Sequence, residues 1–134
     1  MTTTTPLADE ELLRHFNDAT LPASAFHHEH HLRVAWLFVT REGLPRALEK
    51  FPRALRRFAE ANGVPGLYHA TITWAYLLLI NERQQRVPAA TWDAFAAANG
   101  DLLSWKPSVL DTLYEHEVLW SEFARTTFVM PRKG

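Results

Sequence analysis

Residues 67–86 read LYHATITWAYLLLINERQQR, and this stretch decides the fold. Across residues 72–80 (ITWAYLLLI) every side chain is apolar or weakly polar, so a helix built from it is apolar on all sides. A helix of that kind is normally surrounded by others, which makes this segment the expected centre of the molecule. Its longest apolar run, residues 74–80, is far short of the roughly 20 residues that span a bilayer. A buried helix in a soluble domain is therefore expected, and no membrane contact. The segment is bounded by Gly63-Val64-Pro65-Gly66 on one side. On the other, Val87-Pro88 ends it, because the residue before a proline disfavours helix.

Working outward, the flanking sequence also divides into helices. Residues 8–17 place Asp9, Glu10 and Glu11 in a first turn, where the helix dipole favours acids. A second helix is expected to begin after Leu21-Pro22, with Ser24 as candidate N-cap, and to run to about residue 41 before Gly43. The third runs from Pro45 to Asn62-Gly63, with Pro52 expected to kink it or split it in two. Downstream, residues 89–99 form a fifth helix closed by Gly100. Residues 108–126 form a last one, opened by Ser108 and Asp111 in the spacing of a capping box. No segment sustains the alternation of a half-buried strand. Connections this short favour antiparallel neighbours. The expectation is an all-α, single-domain bundle of five to six mostly antiparallel helices over residues 8–134, around a central helix at about 67–86. Residues 1–7 (MTTTTPL) have nothing to bury and are expected to be a disordered tail.

The composition excludes several kinds of chemistry. The chain has 134 residues, 47% hydrophobic and 22% charged, which suits one globular domain with one core. A net charge of −1 gathers no polyanion over the whole surface. With no cysteine there is no disulfide, thiolate zinc site, iron–sulfur cluster or cysteine nucleophile. The N-terminus has neither the basic nor the apolar region of a secretory signal, so a cytoplasmic location is expected.

Seven histidines stand against that absence, four of them at His27, His28, His30 and His31. At about 100° per residue, Leu32, Ala35, Phe38 and Val39 define an apolar stripe on the second helix. His28 and His31 fall inside the stripe, His27 lies on its flank, and Glu29, His30 and Arg33 point away. His69 sits one position inside the start of the central helix, on the side of Ile72, Thr73, Tyr76 and Ile80. Thr73, four residues on, is placed to orient it or a ligand. His116 joins the stripe of the last helix if that helix is continuous.

This pattern points to a metal site in the bundle core. Neutral imidazole is the commonest metal ligand, and three imidazoles plus water leave the open position that catalytic sites keep. The expected ligands are His28, His31 and His69, with His27 as substitute for His28 and His116 as a further or supporting group. The expected ion is a divalent transition metal: iron, copper, nickel or zinc. The expected function is a small metalloenzyme acting on an apolar or aromatic small molecule, by oxygen chemistry or hydrolysis. Its pocket would be walled by Trp36, Trp74 and Tyr76, with His28, His31, His69, Thr73 and Tyr76 as catalytic residues.

Two alternatives stand beside it. One is a metal-free isomerase or lyase using a buried histidine as acid/base with Tyr76, Thr73 or a second histidine. The other is a non-enzymatic ligand-binding or interaction module in which the histidines are structural. His-Glu-x-x-His, Glu-x-x-His, Gly-x-Ser-x-Gly and phosphate-loop motifs are all absent. Arg46, Lys50, Arg53 and Arg57 share one face of the third helix, which reads as solvated, without the features of a nucleic-acid reader. Acids at 111, 115, 117 and 122 are available to complement that face. A homodimer is compatible with the size and charge.

Overall fold

A computed structural model describes residues 8–21 and 26–132. The expected tail at 1–7 and the expected N-cap Ser24 lie outside the described residues. Among those described there are eight α-helices and no strand, packed as one all-α domain. They are α1 (Asp9–Asn17), α2 (His28–Glu42), α3 (Leu44–Ala61), α4 (Ala70–Arg86), α5 (Trp92–Ala98), α6 (Gly100–Leu103), α7 (His116–Leu119) and α8 (Glu122–Thr126). Single 3-10 turns occupy Pro65–Leu67 and Val109–Thr112.

The frame is the mutual packing of α2, α3 and α4, with α1 against α2 and α3, and α8 against α4. The central position is shared. On α4, Ala75, Tyr76, Leu77 and Ile80 are buried, but Trp74, Leu78 and Leu79 keep partial exposure. On α2, the six consecutive residues Val34, Ala35, Trp36, Leu37, Phe38 and Val39 are all buried. The apolar stripe underestimates that enclosure because α1, α3, α4 and α6 all touch α2. Ring packing knits the N-terminal half: Phe16 lies 5.3, 5.7 and 5.6 Å from Phe26, Phe51 and Phe58, and 6.5 Å from Phe38.

Pro52 does not divide α3, which is one helix of 18 residues. An internal proline costs about 3 kcal/mol. Its neighbours Phe51, Leu55 and Phe58 are buried, each contributing about 1.5–3 kcal/mol, so packing outweighs the lost backbone bond.

The C-terminal third departs from the sequence reading. The fifth helix starts at Trp92 rather than residue 89 and is capped by Asn99, and Gly100 opens α6 rather than closing α5. The expected single helix at 108–126 is a 3-10 turn followed by α7 and α8. Ser108 and Asp111 do form their reciprocal cap, but around that 3-10 turn. Two tertiary demands break the helix. Buried Tyr114 donates its hydroxyl to the Val129 carbonyl at 2.6 Å, and Ser121 starts α8 by accepting from the Ala124 N–H. Thr71, on α4, ties the same segment down. Its hydroxyl lies 2.7 Å from the Ala124 carbonyl oxygen and 2.9 Å from that of Thr127, and accepts the Val129 N–H at 3.1 Å. These bonds hold α8 and the chain after it across the face of α4.

Candidate functional site

Between α2, α3, α4 and the C-terminal segment lies a cavity of about 540 Å³, partly open to solvent. It is lined by His28, His31, His69, Thr73 and Tyr76, so the five side chains expected to act together do line one space. Its walls are largely aromatic: Phe26, Phe51, Phe58, Tyr68, Trp105 and Trp120. His27 and His116 do not line it; both are exposed, His116 at the start of α7.

The expected tryptophan walls are different residues. Trp36 is buried on the far side of α2 against Trp92 and Phe95, with its indole N–H donated to Gln84. Trp74 stacks on Phe128 at 5.6 Å. The indoles that reach the cavity are Trp105, 4.9 Å from the His28 ring, and Trp120, edge-on to His69 at 5.4 Å. Trp120 falls on the apolar stripe of the expected last helix with Val109, Leu113 and Ala124, whereas Trp105 lies outside any helix and periodicity carried no sign of it. Tyr68, beside His69 in sequence, was the nearest readable signal.

The histidines have sharply different bonding. His69 is the N-cap of α4, not a residue inside it. Its Nδ1 accepts the Ile72 N–H at 3.1 Å, and its Nε2–H donates to the Leu119 carbonyl at 2.8 Å. Both ring nitrogens are occupied, which fixes one neutral tautomer. Burial pushes its pKa down, opposed by the Leu119 carbonyl. Thr73 donates to the His69 carbonyl at 2.7 Å, so it steadies the cap rather than the imidazole.

His28 donates Nε2–H to the Leu102 carbonyl at 2.9 Å and keeps Nδ1 as its acceptor. Burial lowers its pKa as well, against the pull of that carbonyl. Its ring meets Tyr76 edge-on at 5.1 Å. Tyr76 in turn shares a hydrogen bond with Ser108 Oγ at 2.9 Å, and burial raises its pKa. His30 is not idle: its Nδ1 accepts the His27 backbone N–H at 3.0 Å, closing the first turn of α2.

His31 is the exception. Among the described residues neither of its ring nitrogens has a hydrogen-bond partner, and its ring centroid lies 4.1 Å from that of Phe26. Part of the ring faces the cavity, yet it lies deep enough that an imidazolium would find little solvent. Burial, with repulsion from His28 and His30, takes its pKa down to about 3. No carboxylate lines the cavity to reverse this.

As they stand, the three expected ligands are not a coordination set. Among the described residues no group of three or more His, Asp or Glu side chains is arranged to hold a metal ion. For His69 to ligate one, it would have to release Leu119 or Ile72.

A second, smaller hollow of about 320 Å³ lies among α1, α2 and α3, lined by Asn17, Glu42, Lys50, Arg53 and Arg57 among others. Lys50 is paired with Glu42 at 2.6 Å, and Arg57 reaches the Asn17 carbonyl at 3.5 Å. The basic face of α3 is thus complemented from α2 and α1, not from the C-terminal acids. No helix among the described residues is long and apolar enough to cross a membrane. Comparison with known protein families, with curated proteins and with solved structures finds no match to this chain.

Proposed function

We propose that this protein binds a planar, largely apolar small molecule in the aromatic cavity, with His31 as the group that recognises its polar atom. The observation that carries this reading is the bonding of the cavity wall. His28, His69, Thr73 and Tyr76 all have protein partners, whereas among the described residues His31 has none, which leaves its donor and acceptor to whatever enters. Among the described residues no fully enclosed side-chain nitrogen or oxygen lacks a partner, so the His31 nitrogens open onto the cavity, where a ligand can take their bonds. The volume lies inside the range of about 300–1,000 Å³ typical of ligand pockets.

Binding is favoured over metal-free acid/base catalysis by the same histidine. A general base works best with a pKa near the operating pH. His31, at about 3, falls about four units below neutrality and is a poor match. A metal-dependent reaction is the second reading, supported by His28 and His31 sharing the cavity one helical turn apart. Titration with Fe(II), Cu(II), Ni(II) or Zn(II) tests it: binding lost in H28A and H31A but kept in H30A supports it, and no binding by the wild type removes it.

The ligand-binding reading is tested with 1-naphthol and naphthalene, followed by fluorescence of Trp105 and Trp120. One hydrogen bond to His31 is worth about 1 kcal/mol, so naphthol should bind about fivefold more tightly than naphthalene. In H31L that preference should vanish. Failure of both compounds to bind, or an unchanged preference in H31L, refutes the reading.

A further inference from the structure

The cavity offers a ligand one imidazole with neither nitrogen bonded to a described residue, flat aromatic walls and a lining arginine. We propose that its occupant is a metalloporphyrin or a similar planar metal macrocycle, with His31 as axial ligand to the metal and Arg125 facing the macrocycle's carboxylates. This names the ligand class for the binding reading above and rests on it.

Four observations lead there. First, the imidazole count is wrong for a bare ion and right for a metal that brings its own four nitrogens. His69 has both ring nitrogens tied to backbone groups and His28 has one, so among the described residues His31 is the cavity imidazole with neither nitrogen engaged. A macrocyclic iron needs only one such protein ligand. Second, an axial imidazole must be neutral, and burial without a nearby carboxylate keeps His31 in that form.

Third, the walls suit a large flat ring. Phe26, Phe58 and Tyr76 stand on the inner side, while Trp105 and Trp120 are 39% and 50% exposed at the opening, where they can bracket an entering plane. A single-ring ligand would leave most of 540 Å³ unfilled. Fourth, an arginine lines the cavity and a second lies against its wall. Arg125 lines the cavity, and Arg56 lies 4.9 Å over the ring of Tyr68, itself a wall residue. Arg125 is now paired with Glu122, whose side chain is 73% exposed. An ion pair that open to solvent is weak, so a ligand carboxylate can compete for the guanidinium.

The test uses the full chain, free of any histidine tag, titrated with hemin and followed by the Soret band. Metal-free protoporphyrin IX and 1-naphthol are run in parallel by tryptophan quenching. Saturation at one hemin per chain is expected, with a Soret shift characteristic of imidazole ligation. H31A should lose that shift and weaken hemin binding by about tenfold or more, with added free imidazole restoring the spectrum. Protoporphyrin IX, which has no metal to ligate, should bind wild type and H31A alike. H31Q serves if H31A does not fold, and H28A should keep the wild-type Soret band. R125E should weaken hemin but not its dimethyl ester. An identical Soret band and affinity in wild type and H31A or H31Q overturns the proposal. Binding of naphthol without hemin overturns it while leaving the pocket reading intact. Failure of all three compounds overturns both.

Discussion

Acidification should destabilise this protein well above the range where its carboxylates titrate, and His31 sets the size of the effect. Its pKa is about 3 in the folded chain, against about 6.5 for an unperturbed histidine. The unfolded chain therefore binds the proton more readily. Stability is present in full above the unfolded pKa and is lost as pH falls from about 6.5 towards 3. Between pH 7.5 and pH 5 the loss from His31 alone is about 2 kcal/mol, rising towards about 5 kcal/mol near pH 3. His28 and His69, whose pKa values are also lowered by burial, add to it in the same direction. Keeping the window at pH 5 and above avoids Glu10, Asp101 and Glu122, whose pKa values are lowered by their arginine partners. The assay is urea unfolding of wild type and H31L at half-unit steps of pH. The wild type should lose at least about 2 kcal/mol more than H31L between pH 7.5 and 5. Parallel pH dependence in the two proteins would refute the idea that desolvation in the cavity wall holds His31 neutral.

Three further outcomes follow from the packing. Phe16→Ala, at the hub of the ring cluster and 1% exposed, should cost about 3–5 kcal/mol in a urea titration, and a cost near zero would mean the cluster re-forms without it. Thr71→Val removes the hydroxyl that bridges three backbone groups of the C-terminal segment; a loss of about 1–3 kcal/mol is expected, with faster hydrogen exchange at the Val129 amide than elsewhere. His30→Ala opens the first turn of α2 at a cost of about 1 kcal/mol or less and should leave naphthol binding unchanged, which a thermal melt with and without ligand will check.

Much of the helical layout could be read along the chain because its signals are local. Pro and Gly placed the ends of α2, α3 and α4 within a few residues, and the apolar stripe put His28 and His31 on the inner face. The same rules failed where tertiary contacts compete with local preference. The stretch after Ser108 has helical composition throughout, yet Tyr114 must reach Val129 and α8 must dock under Thr71, so one expected helix becomes three short pieces. Pro52 shows the opposite case, with burial of its neighbours preserving a helix that the local rule would interrupt.

For the site, sequence alone determined that a metal site here would be an imidazole site, since cysteine is absent, and it put His28, His31 and His69 on inward faces with His27 as substitute for His28. What it had no means to determine was which of their nitrogens would be left over. That depends on carbonyls at Leu102 and Leu119, 74 and 50 residues away in the chain, which claim one nitrogen of His28 and of His69. Backbone carbonyls carry no residue-specific mark, so their positions are invisible until the chain is folded. Tertiary structure alone decided that, of the three cavity histidines, His31 is the one with neither ring nitrogen bonded to a described residue, and that Trp105 and Trp120, rather than Trp36 and Trp74, wall the space it faces.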